Sequence, residues 1–180
     1  MKSPFYFIVK PLDGKRYNNT KTIEGVNIIT SSSEEDYKFS NRKGIVHQVP
    51  LHYNGPIKIG DILLVHHNVF KYYNDMRGRQ QSGKSYFKDD LFYMYNHNNK
   101  WYSHDRYCFV KPVKKQDSYI YKRGKEEPLL AEMVYPNNYL LSKGVNQGSK
   151  IIFKPESEYE FEVDGEKLYR MFDHQITIMV

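Results

Sequence analysis

One stretch of the sequence matches a phosphate-binding motif letter for letter. Residues 78–85 read Gly-Arg-Gln-Gln-Ser-Gly-Lys-Ser, which fits the pattern G-x-x-x-x-G-K-[ST] of nucleotide-binding loops. That chemistry requires a hydrophobic strand before the loop and a helix after it, because the N-terminus of the helix meets the phosphates. Here residues 72–75 are Tyr-Tyr-Asn-Asp, and the residues after Ser85 are polar and strand-like. We therefore interpret the motif as a flexible basic hairpin tip and expect no nucleotide there.

Histidine and cysteine are the other residue types that could carry chemistry. The single cysteine, Cys108, cannot form an intrachain disulfide and fits a reducing compartment; its place in a strand indicates a small apolar core residue. No His-x-x-x-His spacing is present, and His66-His67 on one strand would point to opposite faces. We therefore expect no metal, no cofactor and no catalytic group, and so no enzyme. The seven histidines are His47, His52, His66, His67, His97, His104 and His174.

The composition indicates strands and argues against several function classes. The 180 residues include 17 Tyr and 10 Phe, and aromatic residues favour pleated, half-buried surfaces. The net charge of +6 is spread over short basic stretches with acidic neighbours, which favours a solvated surface over a nucleic-acid site. Nucleic-acid binding would need basic and aromatic residues on one surface, and the sequence leaves that open. No stretch is long enough to span a bilayer and no signal peptide is visible, so we expect a cytoplasmic protein.

Three short segments of the first half of the chain reappear in the second half, and these segments are the strands that would position any functional residue. Residues 6–11 (YFIVKP) resemble residues 107–112 (YCFVKP), and residues 60–65 (GDILLV) resemble residues 148–153 (GSKIIF). A third match joins residues 91–97 to residues 168–174, and it makes His97 and His174 equivalent. Because the three matches come in the same order, they predict an internal repeat with insertions in the first copy.

Short strands separated by turn signals make up each copy. Asp164-Gly165 between two alternating segments predicts a β-hairpin, and residues 128–134 (PLLAEMV) are interpreted as a strand. No segment has the pattern of a long amphipathic helix. The sequence therefore predicts an all-β protein of two small barrel-like units in tandem, over residues 1–104 and 105–180.

The order of strands, loop and turn glycines resembles the chaperonin-10, or GroES-like co-chaperonin, family. The opening strand is residues 5–11, the flexible loop is residues 15–43, and Gly44-Ile45-Val46 stands for the Gly-x-Val strand. Residues 57–65 match the glycine-aspartate turn and strand, and residues 144–153 repeat that element in the second copy. The long hairpin that forms the roof of the bacterial dome is absent. Tandem copies are known in this family, and the Tyr-, Lys- and Asn-rich composition fits a phage.

This resemblance implies a co-chaperonin that caps a chaperonin ring and assists ATP-dependent protein folding. The family's glycine and aliphatic triplet correspond to residues 25–30, so the expected chaperonin-binding residues are Gly25, Val26, Asn27, Ile28, Ile29 and Thr30. The loop is polar around this apolar island, so we expect it to be mobile until bound. Packing of residues 26–29 as a strand on their own barrel is the other interpretation. The expected partners are a chaperonin ring and further copies of the chain, in the host cytoplasm if the protein is viral. The alternative function is a GroES-like viral structural or assembly protein that does not bind a chaperonin.

Overall fold

The protein is all-β, which confirms the predicted fold class. The structure is a computed structural model, and it describes residues 3–30, 39–70, 84–114 and 126–180. In these ranges it contains fourteen β-strands and one short α-helix. The chain divides into two compact units, Met1–Lys100 and Trp101–Val180. The sequence placed the boundary between residues 104 and 105, and the observed division falls inside the strand Lys100–Ser103.

The described residues form two six-stranded sheets. The strand order is β6-β1-β4-β5-β7-β8 in the first sheet and β12-β13-β9-β10-β11-β14 in the second, while β2 and β3 form a separate two-stranded hairpin. The strands that begin in the first unit are β1 (Phe7–Pro11), β2 (Thr20–Ile23), β3 (Val26–Ile29), β4 (Lys43–Gln48), β5 (Ile62–Val65), β6 (Ser85–Phe87), β7 (Phe92–His97) and β8 (Lys100–Ser103). The elements of the second unit are β9 (Tyr107–Lys114), β10 (Glu126–Tyr135), α1 (Asn138–Ser142), β11 (Lys150–Phe153), β12 (Tyr159–Val163), β13 (Glu166–Phe172) and β14 (Ile176–Met179).

The two sheets share an order of five strands. β6-β1-β4-β5-β7 corresponds to β13-β9-β10-β11-β14. In both sheets, a 3-10 turn that starts with an aspartate connects the two ends of this five-strand order. Asp89–Leu91 connects β6 to β7, and Asp173–Gln175 connects β13 to β14. The first two sequence matches fall on equivalent strands, β1 with β9 and β5 with β11. The third match is wrong, because it joins β7 to β13, whereas the counterpart of β7 is β14. Alternating bulky residues look alike in any half-buried strand, so the pattern does not say which neighbour a strand has.

The first sheet curls strongly around its core. In a flat sheet, β1 and β7 would be about 14 Å apart, because two strands lie between them. The rings of Phe7 on β1 and Phe92 on β7 are nevertheless only 5.4 Å apart, in an edge-to-face arrangement. The sheet is open along the described residues, since β6 and β8 remain outer strands. The two closed barrels that the sequence predicted are therefore not confirmed.

A glycine allows β4 to lie close to the core of the first unit. A Cβ atom at Gly44 would lie 2.5 Å from Cγ1 of Val9 and 2.6 Å from Cζ of Phe70. Contacts this short do not occur between real Cβ atoms and their neighbours, so a larger residue would push the two side chains away. Gly44 belongs to the Gly-x-Val segment that the family resemblance singled out, and here its role is packing.

The second unit contains two predicted elements and one that was missed. Val163 pairs with Glu166 across the turn residues Asp164 (φ 52°) and Gly165 (φ 81°), which confirms the hairpin. β10 includes residues 128–134, which confirms that strand as well. Helix α1 was not predicted. It begins after Asn137, whose side chain accepts a hydrogen bond from the backbone N–H of Leu140 at 2.8 Å.

Candidate functional site: an exposed β-hairpin arm

Residues 20–29, which we call the arm, form a regular two-stranded hairpin. Thr20 pairs with Ile29, and Ile23 pairs with Val26 across a turn in which Glu24 and Gly25 have φ of 49° and 81°. Two successive positive φ angles are typical of the tight turns that match the twist of a hairpin. Within the predicted loop, these residues therefore have regular strand pairing. Residues 31–38 of the predicted loop lie outside the described part of the chain.

The arm has one aliphatic face. Side chains that are directly opposite across an antiparallel pair share a face, and so do alternate residues along a strand. Ile23, Val26 and Ile28 therefore lie on one side, which we call the aliphatic face, and they are 55%, 63% and 46% exposed. Lys21, which pairs with Ile28, lies at the edge of the same face. Three neighbouring exposed aliphatic residues form a contiguous patch of the kind that marks interaction sites.

The other face of the arm is mostly polar. It carries Thr20, Thr22, Asn27 and Ile29, and the hydroxyl of Thr22 donates a hydrogen bond to Oδ1 of Asn27 at 2.7 Å. Ile29 is 68% exposed on this face. The two faces thus differ in chemistry, so the arm can distinguish an apolar partner surface from water by its orientation.

The structure divides the six predicted binding residues between these locations. Val26 and Ile28 lie on the aliphatic face, Asn27 and Ile29 lie on the polar face, and Gly25 forms the turn. Thr30 follows β3, and both its N–H (2.7 Å) and its hydroxyl (2.9 Å) donate to the carbonyl of Asn19. Sequence analysis missed Ile23. The signal was present, because Thr22-Ile23 before Glu24-Gly25 continues the alternation of a strand into a turn.

A buried amide holds the base of the arm. Asn41 is buried, and its Nδ2 donates to the carbonyls of Leu12 (3.0 Å) and Lys15 (2.7 Å). Its Oδ1 accepts the N–H of Lys43 at 2.9 Å. The Asn41 side chain therefore joins the segment before the arm to the segment after it, beside a backbone bridge between Tyr17 and Ser40. A lone two-stranded hairpin is only marginally stable in water, so this anchorage helps to preorganise the arm.

The thiol is buried, and the described end of the phosphate-loop motif belongs to a strand. Cys108 lies in the core, its Sγ donates to the carbonyl of Met171 at 3.7 Å, and burial raises its pKa to about 12. Lys84-Ser85 lead into strand β6 instead of a helix, and the Ser85 hydroxyl donates to the carbonyl of Val69 at 2.9 Å. Residues 78–83 of that motif lie outside the described residues.

Two expectations about the histidines are wrong. His66 and His67 follow β5 instead of lying on it, and their rings are 4.1 Å apart, so they do not point to opposite faces. His97 and His174 are not equivalent: Nδ1 of His97 lies 2.8 Å from Oδ1 of Asp61, whereas His174 stacks on Phe172. Within the described residues, no group of three or more His, Cys, Asp or Glu could hold a metal ion.

Basic and aromatic residues do share a surface in the second unit. The guanidinium of Arg170 lies over the rings of Tyr107, Tyr159 and Phe172, at 5.3, 5.2 and 5.4 Å from their centroids. These residues come from the adjacent strands β9, β12 and β13, so the cation binds the rings of its own sheet. The cluster stabilises the sheet through cation–π contacts.

Comparison with known proteins does not identify a family. No protein-family model matches the chain, and no curated protein has a significantly similar sequence. In the described residues, no helix has the length and the apolar character needed to cross a membrane.

Proposed function

We propose that this protein is a co-chaperonin, a non-enzymatic lid that binds a chaperonin ring through the arm. The observation that carries the proposal is the aliphatic face of Ile23, Val26 and Ile28, exposed on a hairpin whose base is anchored by Asn41. Val26 and Ile28 are among the residues that the family resemblance assigns to chaperonin binding, and Ile23 lies beside them. Two GroES-like barrels in tandem fit the shared five-strand order and the curl of the first sheet.

The binding mode follows from the geometry of the arm. An apolar groove on the partner would receive the aliphatic face, while Thr20, Thr22 and Asn27 stay in water. Burying one isoleucine contributes roughly 1.5–3 kcal/mol before ordering costs are subtracted. Because the arm is already a hairpin, less conformational entropy is lost on binding than for a disordered segment. A single arm still binds weakly, and several arms in one assembly bind firmly and reversibly.

The proposal fits a lid that must leave in every ATPase cycle. The partner hydrolyses ATP, and the lid contributes enclosure and timing, so the protein needs no catalytic group of its own. The place of action would be the cytoplasm, or the host cytoplasm for a phage protein. The client protein would be chosen by the chamber and not by the arm.

Co-elution with a chaperonin tests the proposal. The purified chain is mixed with a purified bacterial double-ring chaperonin, with and without ATP, and passed through a size-exclusion column. We expect the chain to elute with the chaperonin only when nucleotide is present. Elution apart from the chaperonin under both conditions, with the β circular-dichroism spectrum intact, would overturn the proposal. If the chain then still formed a discrete assembly by itself, the structural or assembly function would be favoured instead.

A further inference from the structure

Three aromatic rings of the second unit form a short stack that ends at the surface. The rings of Tyr107 on β9 and Phe172 on β13 are 4.9 Å apart, with 31° between their planes. His174, in the 3-10 turn after β13, stacks on Phe172 at 5.3 Å and 25°. The side chain of His174 is 61% exposed, so its outer face can receive a further planar group. We call these three rings the ring stack.

Cations lie beside the ring stack. The guanidinium of Arg170 lies 5.3 Å from the ring centre of Tyr107 and 5.4 Å from that of Phe172. The N–H of Asp173 donates to the carbonyl of Arg106 at 2.9 Å, which brings Arg106 to the turn that carries His174.

A second aromatic ring with two cations continues this surface. The guanidinium of Arg106 lies 5.1 Å from the ring centre of Tyr139, and the ammonium of Lys143 lies 5.5 Å from the same ring. Tyr139 is 51% exposed, and Lys143 is exposed as well. The ring stack, Arg170 and these three residues together form what we call the aromatic–basic surface.

The aromatic–basic surface presents more positive than negative charge. The carboxylate of Asp173 accepts two hydrogen bonds of 2.6 Å from Arg106, but its side chain is completely buried. Half of the Arg106 side chain stays exposed, so the buried carboxylate fixes a guanidinium that a ligand can still reach. Asp105, which precedes Arg106 in the chain, is exposed. Arg106, Lys143 and Arg170 outnumber these two carboxylates.

The corresponding turn of the first unit has a different chemistry. That turn, Asp89–Leu91, has a carboxylate, Asp90, at the position of His174. Both turns connect the two ends of the shared five-strand order, so the connection itself does not require an aromatic residue there. A carboxylate at this position would repel a polyanion, whereas an imidazole can stack on a base.

We propose that the aromatic–basic surface binds single-stranded nucleic acid. An unpaired base stacks on the outer face of His174, and the adjoining phosphates contact Arg106 and Lys143. Aromatic rings for the bases combined with cations for the backbone are the usual means of binding single strands without sequence preference. A duplex is excluded, because its base faces are already stacked. The surface lies in the second unit and does not involve the arm, so this inference goes beyond the proposed function and is independent of it.

Fluorescence anisotropy with labelled strands of about ten nucleotides tests this site. The probes are oligouridine RNA, oligothymidine DNA and an abasic DNA strand of the same length, which has the phosphates but no bases. We expect the full chain to bind the strands that carry bases at low salt. The abasic strand should bind at least about fivefold more weakly, which is the lower end of what one stacked base contributes. Binding of either the RNA or the DNA strand supports the proposal.

Substitutions at exposed positions locate the binding. Tyr139→Ala with Lys143→Ala should weaken binding by about tenfold or more. Tyr86→Ala with Lys88→Ala is the matched control, because it removes the same residue types from exposed positions of the first unit and should bind as the wild type does. Lys143→Ala alone should reduce the slope of log K against log salt by about 0.7, as expected for one phosphate contact on a single strand.

The contribution of the ring stack has its own measurement. His174→Ala should reduce the preference for a strand with bases over the abasic strand, because the outer end of the stack is lost. Circular dichroism verifies that each variant is folded. An Ile28→Ser variant should bind nucleic acid as the wild type does, since its substitution lies on the arm.

The outcomes separate this inference from other ligands and from chaperonin binding. Absence of binding by the folded wild type at low salt would overturn it, and so would equal losses in the two double variants. Equal binding of abasic and base-containing strands would also overturn it, because the surface would then attract phosphates alone. Displacement of the strand by polyglutamate as effectively as by unlabelled strand would show an acidic-peptide site instead. None of these results changes the expected co-elution with a chaperonin.

Discussion

The rings of Phe87 and Phe92 are 6.4 Å apart, although three strands separate β6 from β7 in the first sheet. In a flat sheet these strands would be about 19 Å apart. The turn Asp89–Leu91 that connects them is short, so the two strands must approach at that end. The aromatic core and the short connection thus require the same curl, and the second unit repeats the connection with Asp173–Gln175.

Removal of Phe92 should destabilise the first unit strongly. Phe92 is fully buried and contacts the rings of both Phe7 and Phe87. We expect Phe92→Ala to lower the free energy of unfolding by about 3–5 kcal/mol, because it leaves a cavity where the sheet curls. Urea unfolding measures the change. Phe5→Ala is the matched control, since Phe5 is 70% exposed and its loss should change stability by less than about 0.5 kcal/mol. Equal effects of the two substitutions would contradict the role of Phe92 in the curl.

Adjacent isoleucines on the arm should differ in chaperonin binding. Ile28 lies on the aliphatic face and Ile29 on the opposite face. We expect Ile28→Ser to weaken binding to a chaperonin by about tenfold or more per arm, since roughly 1.5–3 kcal/mol of burial is lost. Ile29→Ser should bind nearly as well as the wild type. Surface plasmon resonance on an immobilised chaperonin with ATP measures both. Both variants should keep the wild-type melting temperature, and equal binding by the two would contradict the assignment of faces.

Acid should unfold the second unit at a higher pH when Arg106 is replaced by alanine. Burial by itself raises the pKa of Asp173, but hydrogen bonds from Arg106 (2.6 Å to each carboxylate oxygen) and Asn137 (3.0 Å) outweigh it and leave the pKa below its ordinary value of 3.8. A lowered pKa in the folded state stabilises the fold above the unfolded pKa. This stability is lost as the pH falls through the folded pKa. Arg106→Ala should raise the pKa of Asp173, so the loss begins at a higher pH.

The fluorescence of Trp101 during acid titration measures this shift. Lys143→Ala is the matched control, because Lys143 and Arg106 both lie over the ring of Tyr139, and only Arg106 contacts Asp173. We expect the midpoint of acid unfolding to rise in Arg106→Ala and to stay unchanged in Lys143→Ala. Identical midpoints in both variants would show that the ion pair does not control acid stability.

The thiol of Cys108 should react only when the second unit opens. Burial raises its pKa to about 12, and the thiolate is the species that reacts with disulfide reagents. We expect a colorimetric disulfide reagent at pH 8 to label almost no folded protein and to label one thiol per chain in denaturing urea. Cys108→Ser should remain unlabelled in both conditions. Rapid labelling of the folded chain would contradict the buried position.

Strand formation and the faces of individual strands could be predicted from local pattern. The alternation before Asp164-Gly165 and the run of residues 128–134 both specified strands that the structure confirms. The core position of Cys108 also followed from its match to Phe7, since both are buried. These inferences succeed because side chains on a strand alternate with a period of two, which is a property of neighbouring residues.

The arm shows where local pattern was insufficient. A polar composition around Val26 and Ile28 indicated a mobile segment, yet the chain forms a hairpin anchored by Asn41, which lies 29 residues after one of its partners, Leu12. Nothing near residue 41 in the sequence indicates that its amide is buried between two carbonyls. The bond exists only because distant segments meet in the fold.

The amino-acid sequence was enough to specify an all-β chain with a repeated set of strands, because pleat periodicity and turn residues act over a few positions. The third repeat match failed, and the curl of the first sheet and the anchorage of the arm by Asn41 became visible only in the folded molecule. Strand neighbours and exposed edges depend on packing between segments far apart in the chain, where the burial of residues such as Phe7 and Phe92 decides which arrangement is stable.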